Sequence, residues 1–265
     1  MLFWGVVICV LGIAFNLNNP VRASAKVFWF GSQYWFVISY IGLYILSPVL
    51  NSFIKTASEK QYLFVLSSFF AAEFIYGWII SSDSYDNGYS TISFIGLYLL
   101  ARYLRIHSKK ITKIKPITCA LIYFLLTFIP AVISFIGIRN GWMQLHPLYY
   151  SSPFVIAAST FLLLSFSQLT FYNCTINWIA RSTFSVYIIS MNPIIVPYFK
   201  TEMVLLSESV SAISYSFIVI LLSVVSFLIC TVFDKLRISS WNLLCSACLD
   251  KLIYRFEKYA FSSKC

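Results

Sequence analysis

The chain has 265 residues, 60% of them hydrophobic and only 11% charged, with a mean hydropathy of +0.82 and a formal net charge of +10. Globular chains in water carry about 25% charged residues, so this composition excludes a water-soluble enzyme. The positive charge is sorted loop by loop and forms no basic stripe with interleaved aromatics, which excludes a nucleic-acid partner and points to membrane orientation.

Leu2–Phe15 is an apolar run with no basic residues before it. It reads as a short membrane helix; Ala23-Ser24-Ala25 leaves a cleaved signal as the rival reading. After Arg22 and Lys26 comes Trp35–Asn51, uncharged throughout. Counted from Tyr34 to Ile54, it is long enough to cross a hydrocarbon core of about 30 Å at roughly 1.5 Å per residue. Lys55–Lys60 makes a polar turn, and Tyr62–Ile80 is a third helix with Glu73 near mid-depth. Ser81–Ser90 carries two aspartates and an Asn87-Gly88 turn signal. Ile92–Leu104 is a fourth, short helix, running into Arg102, Arg105, Lys109, Lys110, Lys113 and Lys115.

Pro116–Ile138 forms a fifth helix interrupted by Pro130, Arg139–Pro147 a loop, and Leu148–Phe166 a sixth helix. Trp178–Phe199 is a seventh, broken at Asn192-Pro193 and again at Pro197. Proline removes a donor and disfavours helical dihedrals before it, so backbone polar groups are released here against protein or a wet cavity. Ala212–Phe233 is the eighth. The tail 237–265, with Leu243, Leu244, Leu249, Leu252, Ile253 and Phe256 among basic residues, reads as an amphipathic helix lying on the membrane.

The expected fold is therefore all-α: a polytopic helical bundle of about eight transmembrane helices over residues 1–236, followed by a cytoplasmic amphipathic tail. With the Arg102–Lys115 loop inside, strict alternation places 15 of the 19 basic residues and both termini in the cytoplasm. The seven cysteines then avoid external loops, so no disulfides are expected. Cys245-x-x-Cys248 has metal-ligand spacing but no second pair or neighbouring histidine, so no metal is expected either.

Four stretches share one likeness. Trp35, Tyr40, Leu43-Tyr44, Ser47-Pro48 and Leu50-Asn51 form the first, and Gly88-Tyr89-Ser90 the second. The third is Leu97-Tyr98-Leu99-Leu100-Ala101-Arg102-Tyr103-Leu104-Arg105, and the fourth runs from Ile179 to Ile189 through Arg181-Ser182-Thr183. In order and spacing the chain resembles the acyltransferase-3 family over most of residues 30–200. The resemblance implies a membrane O-acyltransferase of the bacterial inner membrane. Its members pass an acetyl or acyl group from cytoplasmic acyl-CoA, a co-substrate and not a bound cofactor, to a hydroxyl of a surface polysaccharide or lipid-linked glycan. Membrane lipid and the glycan acceptor are the implied partners.

Two departures accompany the likeness. The family's first pair of spans, with its catalytic histidine and upstream basic residue, has no counterpart, and Ser190 stands where the family usually places histidine. The chain reads as an N-terminally shortened member, inactive alone or completed by upstream sequence. The alternatives are a non-catalytic membrane protein (a degenerate relative or small transporter component) and, behind it, a glycan polymerase or flippase.

Glu73 is the one carboxylate inside an expected span. Charge at the bilayer centre costs at least about 2.5–3.5 kcal/mol on insertion scales, so it should face the bundle interior. It reads either as a polar group in the acceptor or proton path or as a structural hydrogen bond. Arg102, Arg105 and Lys109 lie one turn apart and suit the phosphates of acyl-CoA, or else anionic lipid. Ser190, Asn192 and Pro193 line the broken helix, with Ser190 as a hydrogen-bonding remnant of a site. His146 is a base toward an external hydroxyl or a solvated loop residue. His107 matches no family position.

Overall fold

The computed structural model describes residues 2–14, 34–107, 114–140, 147–192 and 195–244. Arg22, Lys26, Lys109, Lys110, Lys113, His146, Pro193 and the tail from Cys245 onward, with Cys248 and Cys265, lie outside the described residues. All described regular structure is helical, as expected from the composition.

The elements, in chain order, are α1 (Leu2–Ala14), α2 (Trp35–Thr56), α3 (Glu59–Ala72, continuing as a π-helical segment Glu73–Ile79) and α4 (Thr91–Ile106). Then follow α5 (Pro116–Asn140), α6 (Pro153–Ser167), α7 (Cys174–Ala180), α8 (Thr183–Ser190), α9 (Ile195–Ser209) and α10 (Ala212–Leu244). Side-chain caps set several of the starts. Ser58 and Gln61 form a reciprocal capping box at α3, and the Ser90 hydroxyl accepts from the Ser93 N–H at α4. Ser152 caps α6 ahead of Pro153, whose missing N–H costs nothing in a first turn. Asn173 caps α7 through the Ile176 N–H at 3.0 Å.

Helix length corrects the expected count of eight spans. Among the described residues four helices are long and apolar enough to cross: Trp35–Thr56, Glu59–Ile79, Pro116–Asn140 and Ala212–Asn242. A fifth crossing arises if Cys174–Ser190 and Ile195–Ser209, bent by 81°, act as one broken span. The expected first, fourth and sixth spans form helices of 13, 16 and 15 residues. At 1.5 Å per residue these reach only about 20–24 Å, short of the hydrocarbon core. At α6 the apolar run begins at Leu148, but a turn closed by the Ser152 N–H on the Tyr149 carbonyl delays the helix to Pro153. The placement of both termini inside drew on eight alternating crossings and loses that basis. At the far end, α10 runs on through Asp234 and Arg237 to Leu244, so the expected break between last span and tail is absent.

The spans are inside out compared with a soluble bundle. Phe64 is 72% exposed, Ile138 72% and Phe217 71%, which is sustainable only with lipid as the neighbouring solvent.

Residues 35–171 form one compact unit. Its core is Ile54, Tyr62, Leu66 and Leu99, where α2, α3 and α4 meet. A Cβ added at Gly96 would fall within the ring of Phe69, so α4 approaches α3 as closely as it does only because Gly96 has no side chain. Tyr62 donates to the Leu99 carbonyl at 2.7 Å, and Tyr98 to Asn51 Oδ1 at 2.7 Å. Pro48 lies inside α2 and cannot donate to the Tyr44 carbonyl one turn back; the Ser47 hydroxyl does so instead, at 2.7 Å. The Ser47-Pro48 pair therefore carries its own backbone repair. The α5 and α6 helices pack as a hairpin, tied where the Ser165 hydroxyl donates to the Pro116 carbonyl at 3.0 Å.

The second unit comprises residues 1–34 and 172–265. In it α8 packs on α10, and the buried Tyr34 hydroxyl donates to the Ile188 carbonyl at 3.1 Å. Lys235 on α10 caps the carbonyl of Trp178 at 2.6 Å while its ammonium sits 4.3 Å from the centre of that indole ring.

Candidate functional site

Glu73 stands where α3 passes from α- to π-helical winding, a local widening often associated with functional positions. Its side chain is 1% exposed. Oε1 accepts a 2.7 Å hydrogen bond from the Ser93 hydroxyl, and Oε2 has no partner among the described residues. Ser93 occupies the first turn of α4 and is fixed by Ser90, whose hydroxyl lies 3.2 Å from both its N–H and its Oγ. The Ser90 cap thus also aims the hydroxyl that holds the carboxylate. Among the described residues no lysine, arginine or histidine pairs with Glu73. A carboxylate taken from water without a cation or full hydrogen bonding is costly, so the site retains an unmet demand for a donor.

Glu73 and Ser93 line a cavity of about 350 Å³ whose walls include Trp35, Phe70, Phe94 and Tyr150. Trp35 meets Tyr89 edge to face at 4.5 Å and Tyr150 at 5.8 Å, and Tyr89 meets Tyr150 edge to face at 4.9 Å. The turn that carries Tyr89 depends on Gly88. Its φ of +97° is open to glycine, and a Cβ there would press on the Tyr150 backbone. Ser151 sews the segment before α6 onto this wall. Its N–H donates to the Asn87 carbonyl at 3.1 Å and its hydroxyl to the Gly77 carbonyl at 2.9 Å. Burial pushes the Tyr89 phenol above its ordinary range, helped by Tyr150, Asp86 and Tyr149. Tyr85 is raised likewise by burial, Glu73 and Tyr76. Both stay neutral donors at physiological pH. An apolar, aromatic chamber with one carboxylate oxygen unclaimed is suited to accept a proton from a hydroxyl-bearing guest.

The other residues singled out by sequence lie apart from this chamber. Arg102 and Arg105 sit at the opposite end of α4 from Ser93, nine and twelve residues on, or about 14 and 18 Å of helix rise. The Arg102 Nε is buried without a partner among the described residues, while Arg105 is exposed. His107, the cap residue of α4, has its Nε2 3.4 Å from Glu59 Oε1 and its ring 4.3 Å from that of Tyr103, a structural role. Ser190 belongs to the second unit; its hydroxyl donates back to the Tyr187 carbonyl at 3.2 Å. It lines a larger, apolar cavity of about 690 Å³ with Met191, Phe199, Lys200, Cys230 and Phe233. Among the described residues no group of three or more His, Cys, Asp or Glu is placed to hold a metal ion.

Sequence reasoning missed two features. Ser93 lies in an unremarkable Thr-Ile-Ser-Phe run, and only the packing of α4 on α3 reveals its contact with Glu73. Asp234, fully buried, accepts from Arg237 Nε at 2.7 Å through Oδ1, while its Oδ2 and the buried Ser182 hydroxyl have no hydrogen-bond partner among the described residues. The signal for it was present: an acid three residues before a base within an apolar helix. The sequence reading ended that helix at Phe233, just short of Asp234 and eleven residues before its end at Leu244.

The family model described as an acyltransferase domain matches residues 1–235, nearly the whole chain. The chain belongs to the acyltransferase-3 family. No curated protein and no solved structure matches it. Within this family member the shared stretches fall into defined structural places. Trp35 lines the Glu73 chamber with Tyr89 edge to face behind it, Ser47 repairs the break at Pro48, and Tyr98 reaches Asn51. Ser182 is buried beside Asp234.

Proposed function

We propose that this acyltransferase-3 chain transfers an acetyl or acyl group from acyl-CoA to a hydroxyl of a surface polysaccharide or lipid-linked glycan, in a bacterial inner membrane. Family membership supports acyl transfer. The observation that carries the reading to a place in the molecule is the Glu73 chamber: a buried carboxylate with one unclaimed oxygen, walled by aromatic rings, within the membrane-spanning part of the chain. Aromatic walls suit the apolar faces of a sugar ring, and the carboxylate suits its hydroxyls.

Arg102 and Arg105 are the proposed anchors for the phosphates of acyl-CoA, at the basic, cytoplasmic end of α4. The donor's long pantetheine arm allows its phosphates to dock at a distance from its acyl group, so separation of these arginines from Glu73 along α4 is compatible with one reaction. Ser190 is the second candidate, as a hydrogen-bonding group in its own cavity.

The test uses the full chain in lipid nanodiscs with radiolabelled acetyl-CoA and a panel of octyl glycosides of hexoses, deoxyhexoses and N-acetylhexosamines. The expected result is protein-dependent label on at least one glycoside. An R102A/R105A double variant should raise the KM for acetyl-CoA about tenfold or more, the loss of one or two charge-assisted hydrogen bonds. Absence of transfer to every glycoside would overturn the assignment.

A further inference from the structure

Resting on the acyl-transfer reading, we infer that Glu73 is the group that takes the proton from the acceptor hydroxyl, and that Ser93 positions it. The argument begins with what is available. Among the described residues the one histidine, His107, is engaged by Glu59 and Tyr103 and does not line the Glu73 chamber. Glu73 is a base with a vacant oxygen. Its other oxygen is pinned by Ser93 at 2.7 Å, so the carboxylate is held in one orientation and Oε2 is left to the guest. Among the described residues the titratable groups facing it are phenols: Tyr85, which feels its charge, and Tyr150 across the cavity. No lysine, arginine or histidine among the described residues lines the chamber to satisfy it in place of a substrate.

The step balances without any other protein group. The acceptor hydroxyl gives its proton to Glu73 Oε2 as its oxygen forms a bond to the acyl carbonyl carbon of acyl-CoA. The carbon–sulfur bond breaks, the thiolate leaves with the electron pair, and it recovers the proton to leave as CoA thiol. The unneutralised carboxylate also decides what kind of acceptor enters. An uncharged sugar offers it hydroxyls, whereas a uronic acid or phosphorylated sugar would bring a second negative charge into the same dry space.

The assay is acetyl transfer to octyl glucoside, or to whichever neutral octyl glycoside accepts best. General-base catalysis contributes roughly 10²–10⁴-fold, so E73Q should lower kcat at least about 100-fold, with the KM for the glycoside held within about threefold. S93A should lower kcat about tenfold at constant KM, and S93T, which keeps the hydroxyl, should restore it; a merely structural serine would not show this split. The corresponding octyl glucuronide should be used with at least about tenfold lower kcat/KM than octyl glucoside. If E73Q fails to fold, the wild type decides. A hydrophobic carbodiimide should inactivate it through an adduct mapped to Glu73, and octyl glucoside should protect. A wild type that transfers while E73Q keeps kcat within threefold, or while carbodiimide modifies Glu73 without loss of activity, overturns this inference alone. A wild type that transfers nothing overturns the acyl-transfer reading and this inference together.

Discussion

Glu73 and Asp234 are both fully buried carboxylates on long apolar helices, one in each compact unit, yet their surroundings differ in kind. Asp234 has a guanidinium one turn along its own helix, at 2.7 Å from Oδ1, and its Oδ2, like Oε2 of Glu73, has no hydrogen-bond partner among the described residues. Glu73 has a single serine and a cavity. The first carries its own cation; the second has none among the described residues and opens onto a cavity. Burial alone therefore does not distinguish the two. On the proposed reading, the absence of a resident cation is what sets the working carboxylate apart from the structural one.

The sharpest way to break that contrast is to remove the cation. R237A leaves Asp234 as an uncompensated buried charge and should cost about 3–5 kcal/mol of stability, read from reversible unfolding in a detergent mixture. A loss under 1 kcal/mol would show that the Asp234 pair adds little to the packing. Next in size is the close approach that shapes the Glu73 unit. G96A puts a methyl group into the ring of Phe69 and should cost about 1–3 kcal/mol; wild-type stability would mean that α4 shifts freely on α3. E73Q tests the contrast by its sign. It removes the charge, keeps an acceptor for Ser93, and should raise stability by at least about 1 kcal/mol even as activity falls. A fall in stability of that size would place Glu73 with Asp234 as a structural group. The smallest expected effect is that of S47A, which strips the Tyr44 carbonyl of its substitute donor beside Pro48. It should cost about 0.6 kcal/mol, up to about 1.7, and a neutral outcome would mean that backbone winding repairs the break unaided.

The residues on which the proposed function rests were singled out before any coordinates. Glu73 stood out because charge inside an apolar run is expensive and needs a reason. The arginines stood out because they cluster at one helix end. The span count was not legible in the same way. Apolar run length was read as span length, but caps and turns such as Ser152-Pro153 decide how much of a run becomes helix. His107 shows the same limit from the other side, since its engagement with Glu59 joins residues 48 apart in sequence.

The sequence by itself determined the solvent, the all-helical class and the family, because hydrophobicity, charge placement and short motifs are properties of neighbouring residues. Only the tertiary structure decided which buried acid opens onto a cavity, which serine holds it and which glycine lets the helices close. Those facts depend on contacts between residues 20 to 74 positions apart, formed when α4 and the segment before α6 pack against α3, and no local pattern records them.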